Sequence, residues 1–274
     1  MARYAFGFTL ERGLVMTLAW MIKIVTTYWP MFLRGAGMTL LISITSTIIG
    51  SCIGLLVGVI RTIPMPERGF SRLLQKFNNG LLVVYIELFR GTPMMVQAMV
   101  VYYGAAMALG MDMNKLVAAF LIVSINTGAY MSEIVRGGIV SIDKGQFEAA
   151  HAIGMNHMQT MFNVVLPQVI RNILPATGNE FVINIKDTSV LSVISVSELF
   201  FQTKSVAGNN FRYFESFFVA CILYLIMTLT VTRILRYFER RIEGPDSYIL
   251  LGNQMQVQKP EDMLRKAGQV NLKL

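Results

Sequence analysis

A stripe of ionisable and amide side chains lies along the apolar stretch Phe181 to Ser197. Glu180, Asn184 and Asp187 follow one another at intervals of four and three residues, so they share one face of a helix. Lys186 points about 100° away from Asp187, and these two neighbours therefore cannot pair along one face. Both signs of charge suit a zwitterionic solute, whose carboxylate and ammonium groups need complementary partners. The stripe predicts part of a translocation path, with packing against polar groups of other helices as the alternative.

Three further polar residues lie in or beside the apolar stretch Leu116 to Ser132, namely Asn126, Thr127 and Glu133. By insertion scales, an ionisable side chain at membrane depth costs about 2.5–3.5 kcal/mol, so it needs a partner or a wet cavity. We therefore add these three residues to the candidates for a translocation path.

Two acid–base pairs allow a purely structural interpretation of some of these charges. Glu87 and Arg90 are three residues apart, as are Glu133 and Arg136, so each pair can neutralise itself along one helix face. Both pairs lie near the cytoplasmic ends of apolar stretches. Structural ion pairs, or anchors at the membrane surface, are the alternative for these four residues.

The composition indicates that helices in a membrane position these side chains. The chain has 274 residues, of which 54% are hydrophobic and 15% charged, and its mean hydropathy is +0.54. Four charge-free runs each approach or exceed the roughly 17–25 residues that cross a bilayer as a helix: Gly35 to Ile60, Gly91 to Met111, Leu116 to Ser132 and Ser216 to Thr232. Phe181 to Ser197 is a fifth candidate, interrupted by two charges. We predict an all-α integral membrane protein with about five transmembrane helices.

The net charge of +8 does not indicate nucleic-acid binding, because the basic residues cluster at the ends of the apolar runs. Three clusters mark one side as the cytoplasm: Arg61, Arg68, Arg72 and Lys76; Arg136, Lys144 and Arg171; and Arg233, Arg236, Arg240 and Arg241. The loops near Asp112 and Lys204 then lie outside, and an odd number of spans places the amino terminus outside too. The basic residues that precede the first span oppose this rule: Arg3, Arg12, Lys23 and Arg34.

The two ends of the chain differ from its centre. Residues 1–30 lack a cleavage site, and we predict an interfacial helix that ends at Trp29 and Pro30, with an extra span as the alternative. Residues 31–243 form the predicted membrane domain, and residues 244–274 form a polar cytoplasmic tail. Within the first span, Gly50, Gly54 and Gly58 repeat at every fourth position, which predicts close helix packing.

A short segment of polar and small residues lies between two apolar runs, from about residue 141 to Pro167. Asp143 followed by Gln146 predicts an N-cap and its N3 partner, so a helix begins there. An apolar face then recurs at helical spacing: Phe147, Ala150, Gly154, Met158 and Met161. Small side chains at Ala149, Ala150 and Gly154 allow a close approach, and Pro167 and Pro175 bound the segment. This pattern favours a helix that docks on another subunit over one that lies on the lipid.

The same segment carries a family resemblance. Its pattern is Glu148-Ala149-Ala150, three residues, Gly154, nine residues, then Val164-Val165-Leu166-Pro167. This pattern resembles the EAA loop of the permease subunits of bacterial ABC importers, with Val164 in place of Ile as the one departure. Three further segments are similar to the polar amino acid branch of that family: YIELFRGTP at 85–93, NTGAYMSEIVRGGI at 126–139 and GNEFVINIKDTSVLSVISVSEL at 178–199. The resemblance covers about Met31 to Glu243.

The resemblance implies a five-span subunit of the type I importer fold in the bacterial inner membrane. It implies a second permease copy or a sister permease, a cytoplasmic ATPase dimer, and an extracytoplasmic amino-acid-binding protein. The residues that would contact the ATPase are Gln146, Phe147, Glu148, Ala149, Ala150, Gly154, Met158, Leu166 and Pro167. Closure of the ATPase would move the helix from Gln146 to Met161 as a rigid body. The chain has no GxxxxGK[ST] loop, so ATP and Mg²⁺ would bind to the partner, and we expect no cofactor in this chain.

Other functions remain as alternatives. The substrate could be another small zwitterion such as an opine. An ion-coupled secondary carrier would be expected to show internal symmetry or about twice as many spans. A membrane enzyme is disfavoured because His151 and His157 lie about 240° apart around a helix and so do not converge on one metal, and we predict no metal site.

Overall fold

The computed structural model describes residues 2–110 and 112–243, and these residues are helical with short connections. The polar tail predicted at 244–274 lies outside the described residues. Within these described ranges, nine α-helices follow one another: α1 Ala2–Ile60, α2 Phe70–Gly91, α3 Met94–Leu109, α4 Lys115–Val140, α5 Lys144–Ala152, α6 His157–Thr160, α7 Leu166–Asp187, α8 Leu199–Asn210 and α9 Tyr213–Glu243. A π-helical turn, Met161–Val165, precedes α7, and a 3₁₀ helix, Thr188–Ile194, follows it.

Three of the described helices are long and apolar enough to cross a membrane: Met16–Ile60, Lys115–Val140 and Tyr213–Glu239. They contain three of the predicted spans. The predicted span Gly91 to Met111 corresponds to the shorter apolar helix Met94–Ala108. The fold is that of an all-α integral membrane protein, built around α1 and α4.

Helix α1 does not have the predicted boundary at Pro30, because the helix runs through it to Ile60. A proline removes one N–H donor from a helix. Just before this position, the Thr26 hydroxyl donates to the carbonyl of Ile22 at 3.0 Å. Ile24 and Phe32, on either side of the proline, are both buried in one apolar cluster against α8 and α9. This shared packing explains why the two halves remain one helix, and the interfacial position of residues 1–30 stays a prediction.

The glycine repeat of α1 lies directly against α4. A Cβ atom built on Gly50 would lie 2.7 Å from the Thr127 side chain, and one on Gly58 would lie 2.7 Å from Cγ1 of Val135. Gly54 is the tightest of the three positions, since its Cβ would overlap that of Met131. Real Cβ atoms essentially never approach other atoms this closely, so the contact between α1 and α4 requires glycine here.

The predicted fifth span, Phe181 to Ser197, is wrong as a single helix. Helix α7 contains Pro175 in its interior, so this proline does not bound the preceding segment. The α-helix ends at Asp187 and continues as the 3₁₀ helix. At this junction the Thr188 hydroxyl donates to the carbonyl of Ile185 at 3.0 Å, which gives the backbone an alternative to α-helical bonding.

Glu198 caps helix α8 from a fully buried position. Its carboxylate accepts the backbone N–H groups of Phe200 at 2.8 Å and Phe201 at 2.7 Å, and the hydroxyl of Tyr224 on α9 donates to it at 3.1 Å. The next backbone N–H, of Leu199, donates to Thr39 of α1 at 3.2 Å. The start of α8 is therefore fixed to both α1 and α9. Glu198 is not among the residues predicted from the sequence, although it is recognisable as an acidic N-cap after a serine-rich stretch.

Candidate coupling surface and polar path

Helix α5 begins where the sequence predicts. The carboxylate of Asp143 accepts the N–H of Gly145 at 2.7 Å and caps the helix. The predicted reciprocal bond from Gln146 is wrong, because its side-chain oxygen accepts instead from Nε2 of Gln168 at 3.4 Å. This contact links the first turn of α5 to the first turn of α7.

Helix α5 ends in a glycine cap. The N–H of Gly154 donates to the carbonyl of His151 at 2.9 Å, and the N–H of Met155 donates to that of Ala150 at 3.1 Å. This bond pair is the Schellman motif, and Gly154 has the positive φ of 85° that the motif requires. A Cβ on Gly154 would meet nothing within 4 Å. The glycine therefore serves the turn, and the predicted close approach of another subunit at this position stays a prediction.

A second short helix, α6, follows the turn. The Asn156 side chain accepts the N–H of Gln159 at 2.9 Å, and the Gln159 side chain accepts the N–H of Asn156 at 2.9 Å. These two bonds form a capping box. The predicted single helix from Gln146 to Met161 is therefore wrong, since Gly154 divides it into two capped helices.

The π-helical turn and the start of α7 pack against the end of α4, and Phe147 of α5 joins them. Ala150, Met161 and Leu166 are buried, and the last two join an apolar cluster with Ile139. Phe147 is partly buried against the same cluster. Met158, predicted to share this face, is exposed instead, because the break at Gly154 changes the register of the face.

The outer face of these helices carries a carboxylate beside large apolar side chains. Glu148 and Ala149 are exposed on α5. Ile153 is 79% exposed, Met158 55% and Phe162 57%. We name these five residues the α5–α6 surface. Ile153 and Phe162 are not among the residues predicted from the sequence. Ile153 was identifiable, because it is an apolar residue directly before the glycine cap and has no place in the predicted buried face.

Two of the predicted path residues form a buried link between three helices. The side-chain nitrogen of Asn184 lies 2.9 Å from the hydroxyl of Thr47 and 3.0 Å from that of Thr127. All three side chains are buried where α1, α4 and α7 meet. Lys186 is exposed, so the structure does not bring it together with Asn184. This geometry gives Asn184 and Thr127 a role in helix packing, and their place in a translocation path stays a prediction.

Asn126 stabilises the connection between α2 and α3. Its amide donates to the Gln97 side chain at 2.9 Å and to the carbonyl of Phe89 at 3.0 Å. The Gln97 amide in turn donates to the carbonyl and the hydroxyl of Thr92, each at 2.9 Å. These bonds satisfy backbone groups left free where α2 ends before Pro93.

Of the two predicted ion pairs, one is present. Glu133 pairs with Arg136 at 3.1 Å and also with Arg61 at the end of α1. Among the described residues, no ion pair joins Glu87 to Arg90. Arg90 lies instead over the ring of Tyr130, 5.3 Å from its centre, because the cation is attracted to the aromatic face.

The remaining candidates are the acids of α7. Glu180 is buried, with 9% of its surface exposed, and Asp187 is partly buried. The charges of Asp187 and Arg90 both act on Glu180, and the charge of Lys186 acts on Asp187. Three of these charged groups lie on α7 itself, and Arg90 on α2 is the fourth.

An all-helical membrane protein with a capped helix pair between two of its long helices is typical of a transporter permease. Residues 69–244 match the family described as "Binding-protein-dependent transport system inner membrane component". The chain is 40% identical over 215 residues to the "Glutamine transport system permease protein GlnP" of Escherichia coli, covering 78% of this chain and 94% of that protein. It is 32% identical over 219 residues to the "Arginine transport system permease protein ArtQ" of Bacillus subtilis, covering 79% and 94%.

Solved structures agree with these relatives. An amino acid ABC transporter crystallised with histidines is 36% identical, with a TM-score of 0.68 over 79% of this chain and 96% of that chain. The inward-facing MetNI methionine ABC transporter has the same fold at 18% identity, with a TM-score of 0.65 over 79% of this chain and 98% of that chain. The chain belongs to the binding-protein-dependent inner membrane component family, and within it to the permeases of amino acid ABC transporters.

Proposed function

We propose that this chain is the membrane subunit of a bacterial inner-membrane importer, and that it moves a polar amino acid into the cell by alternating access. A separate cytoplasmic ATPase drives the movement through the α5–α6 surface. The observation that carries this proposal is the exposure of Glu148 beside Ile153, Met158 and Phe162 on a segment that is itself packed against α4.

The α5–α6 surface has the composition of a protein contact. Large apolar side chains are costly to leave in water, and an apolar centre beside a polar edge is typical of interfaces. Both helices of the segment are capped, so the surface is held in one shape before a partner binds. Met161 and Leu166 pack with Ile139 of α4, which connects any displacement of the segment to a membrane span.

The partners follow from the family. ATP and Mg²⁺ bind to the ATPase dimer, a second copy or a sister permease completes the membrane part, and a binding protein delivers the solute from outside. An ion-coupled carrier would need no cytoplasmic docking surface, so the exposed α5–α6 surface favours the ATP-driven mechanism.

The proposed solute is a polar amino acid such as glutamine or arginine, in keeping with the names of the relatives. Glu180 and Asp187 are available for an ammonium group, and Arg90 and Lys186 for a carboxylate. A different small zwitterion such as an opine would use the same groups.

The docking proposal is tested with Glu148→Lys in the assembled importer. Losing one charged contact at an interface and placing a like charge there costs about 2 kcal/mol or more, or roughly 30-fold in affinity. Solute-stimulated ATPase activity should fall accordingly, while the amount of chain in the membrane stays unchanged. Lys76→Glu, a charge reversal at an exposed position of α2, is the matched control. Normal stimulation in Glu148→Lys would refute the docking role.

The path proposal is tested with Glu180→Gln and Asp187→Asn. A hydrogen bond to a charged group contributes about 1.5–3 kcal/mol, so the KM for uptake should rise at least about tenfold. ATPase activity without solute and chain abundance should not change. Glu87→Gln, an exposed carboxylate on α2, is the control. Wild-type KM values in both variants would assign these acids to structure alone.

A further inference from the structure

A cavity of about 380 Å³ lies between the cytoplasmic ends of α1 and α4 and the inner side of α5 and α6. Basic side chains from three parts of the chain line it: Arg61, Arg136, Lys144 and His157. The proposed transport mechanism assigns no role to this cavity.

The cavity carries excess positive charge. Among the described residues, Glu133 is the one carboxylate bound to its arginines, and it pairs with both Arg61 and Arg136. Lys144 takes part in no ion pair within the described part of the chain and is exposed at the start of α5. Arg61, Arg136 and Lys144 are permanent cations, and the carboxylate of Glu133 neutralises one of their three charges. The excess of two positive charges suits an anion.

Apart from the hydroxyl side chain of Thr62, the rest of the lining is apolar, from the residues Ile139, Val140, Ile142, Phe147 and Met161. Val140 is 69% exposed at the last turn of α4, whereas Ile139 is buried. A free inorganic anion would use only the basic part of this lining. An amphiphile with an anionic head and a hydrocarbon chain would use both parts.

The position of the cavity also indicates a lipid. Arg61 follows directly after α1, and Arg136 lies one turn before the end of α4. Basic residues at such span ends mark the cytoplasmic level of the lipid head groups. Basic pockets between membrane helices on this side bind the head groups of anionic lipids. We propose that the cavity binds one anionic phospholipid, with the phosphate at Arg136 and Lys144 and an acyl chain along Val140.

This site is separate from the α5–α6 surface, because Phe147 and His157 line the cavity while Glu148 and Ile153 face outward. A bound lipid would contact the membrane side of the coupling segment. The proposal concerns lipid binding and stands whether or not Glu148 contacts an ATPase.

The experiment measures lipid binding to the full chain, purified in a mild detergent with the subunits that accompany it. Native mass spectrometry follows titration with phosphatidylglycerol and with phosphatidylcholine of the same acyl chains. Each cation near an anionic head group strengthens binding about fivefold. One phosphatidylglycerol should therefore bind at least about tenfold more tightly than phosphatidylcholine, Lys144→Gln should lower that preference about fivefold, and Lys144→Arg should retain it.

Two further variants separate this site from simpler explanations. Arg236→Gln removes a cation at the cytoplasmic end of α9, outside the cavity, and should leave the preference unchanged. Val140→Trp blocks the apolar opening without changing the charge and should abolish the bound phosphatidylglycerol. Lys144 is exposed, so its variants test the site even if Val140→Trp does not fold.

Three results would overturn the proposal. The first is equal binding of the two lipids. The second is an equal loss of binding in Lys144→Gln and Arg236→Gln, which would indicate a diffuse surface charge. The third is complete displacement of phosphatidylglycerol by inorganic phosphate while Val140→Trp still binds the lipid, which would indicate a free-phosphate site.

Discussion

The side-chain nitrogen of Asn184 on α7 lies 2.9 Å from the hydroxyl oxygen of Thr47 on α1. The same amide reaches Thr127 on α4 at 3.0 Å, so one side chain links three helices in the interior. In a membrane interior a polar group without a partner is costly. The link therefore fixes the relative positions of α1, α4 and α7 along their lengths.

Asn184→Ala should destabilise the folded chain and leave solute selectivity unchanged. Hydrogen bonds between membrane helices contribute about 0.6–1.7 kcal/mol. Here Thr47 and Thr127 both lose the amide of Asn184, and Thr47 keeps its bond to the carbonyl of Ser43 at 2.7 Å. The unfolding temperature of the purified protein in detergent measures the loss. Asn179→Ala, at an exposed position of the same helix, is the control and should be neutral. A changed solute preference at normal stability would place Asn184 in the translocation path.

Gly154→Ala should uncouple the importer without removing it from the membrane. A side chain at the positive φ of 85° costs about 1–2 kcal/mol, so α5 would no longer end in the Schellman motif. Solute-stimulated ATPase activity should fall, and Gly154→Asn should be milder because asparagine tolerates this conformation.

The matched control is Gly137→Ala, since Gly137 is helical on α4 and a Cβ there meets nothing within 4 Å. This variant should keep full activity and gain a little stability from helix propensity. Full stimulation in Gly154→Ala would show that the Schellman turn is not needed for coupling.

The sequence predicted the class of fold and the start of α5 at Asp143 because both are local patterns. The length of an apolar run is read directly from the sequence, and the spacing from Glu148 to Pro167 lies within one short segment. The path residues were harder, because the helical face of Asn184 was visible while its partner Thr47 lies 137 positions away. The positive φ of Gly154 was not predicted, since a glycine chosen for its small size and a glycine chosen for its backbone conformation look alike in sequence.

The continuity of α1 shows another limit. Pro30 is a helix breaker in isolation, and the sequence therefore predicted a boundary there. The contacts that keep the helix continuous come from α8 and α9, through Leu199 and Val219. Such long-range packing overrides a local signal and is not visible in the segment itself.

Glu133→Gln should destabilise the cytoplasmic ends of α1 and α4. Removing one partner of a buried ion pair costs about 3–5 kcal/mol, and less here, because the side chains of Glu133 and Arg61 remain 24% and 17% exposed. We expect about 1–2 kcal/mol, seen as a lower unfolding temperature.

The paired variant Arg61→Gln with Glu133→Gln should recover part of this loss, since the more buried cation Arg61 is removed together with its partner, and Arg136, which also loses Glu133, is 42% exposed. Glu87→Gln serves as the control, because Glu87 is exposed and forms no ion pair among the described residues. If Glu133→Gln and Glu87→Gln had the same unfolding temperature, the ion pair between Glu133 and Arg61 would contribute nothing to stability.

Gly54→Ala should separate α1 from α4. The added Cβ would overlap the Cβ of Met131 and lie 2.8 Å from its backbone carbon, so the backbones must move apart. Overpacking of this kind costs about 1–3 kcal/mol, and we expect a lower unfolding temperature. Gly37→Ala is the control on the same helix, since a Cβ there meets nothing within 4 Å.

Met131→Ala leaves the overlapping Cβ atom in place, so it should not rescue Gly54→Ala. Met131→Gly removes that atom and should restore part of the stability, although a glycine inside a helix itself costs about 1 kcal/mol. The interaction energy from the cycle of Gly54→Ala and Met131→Gly measures the contact between the two helices. An interaction energy of zero would mean that α1 and α4 are not held together at this point, contrary to the packing seen along the whole glycine repeat.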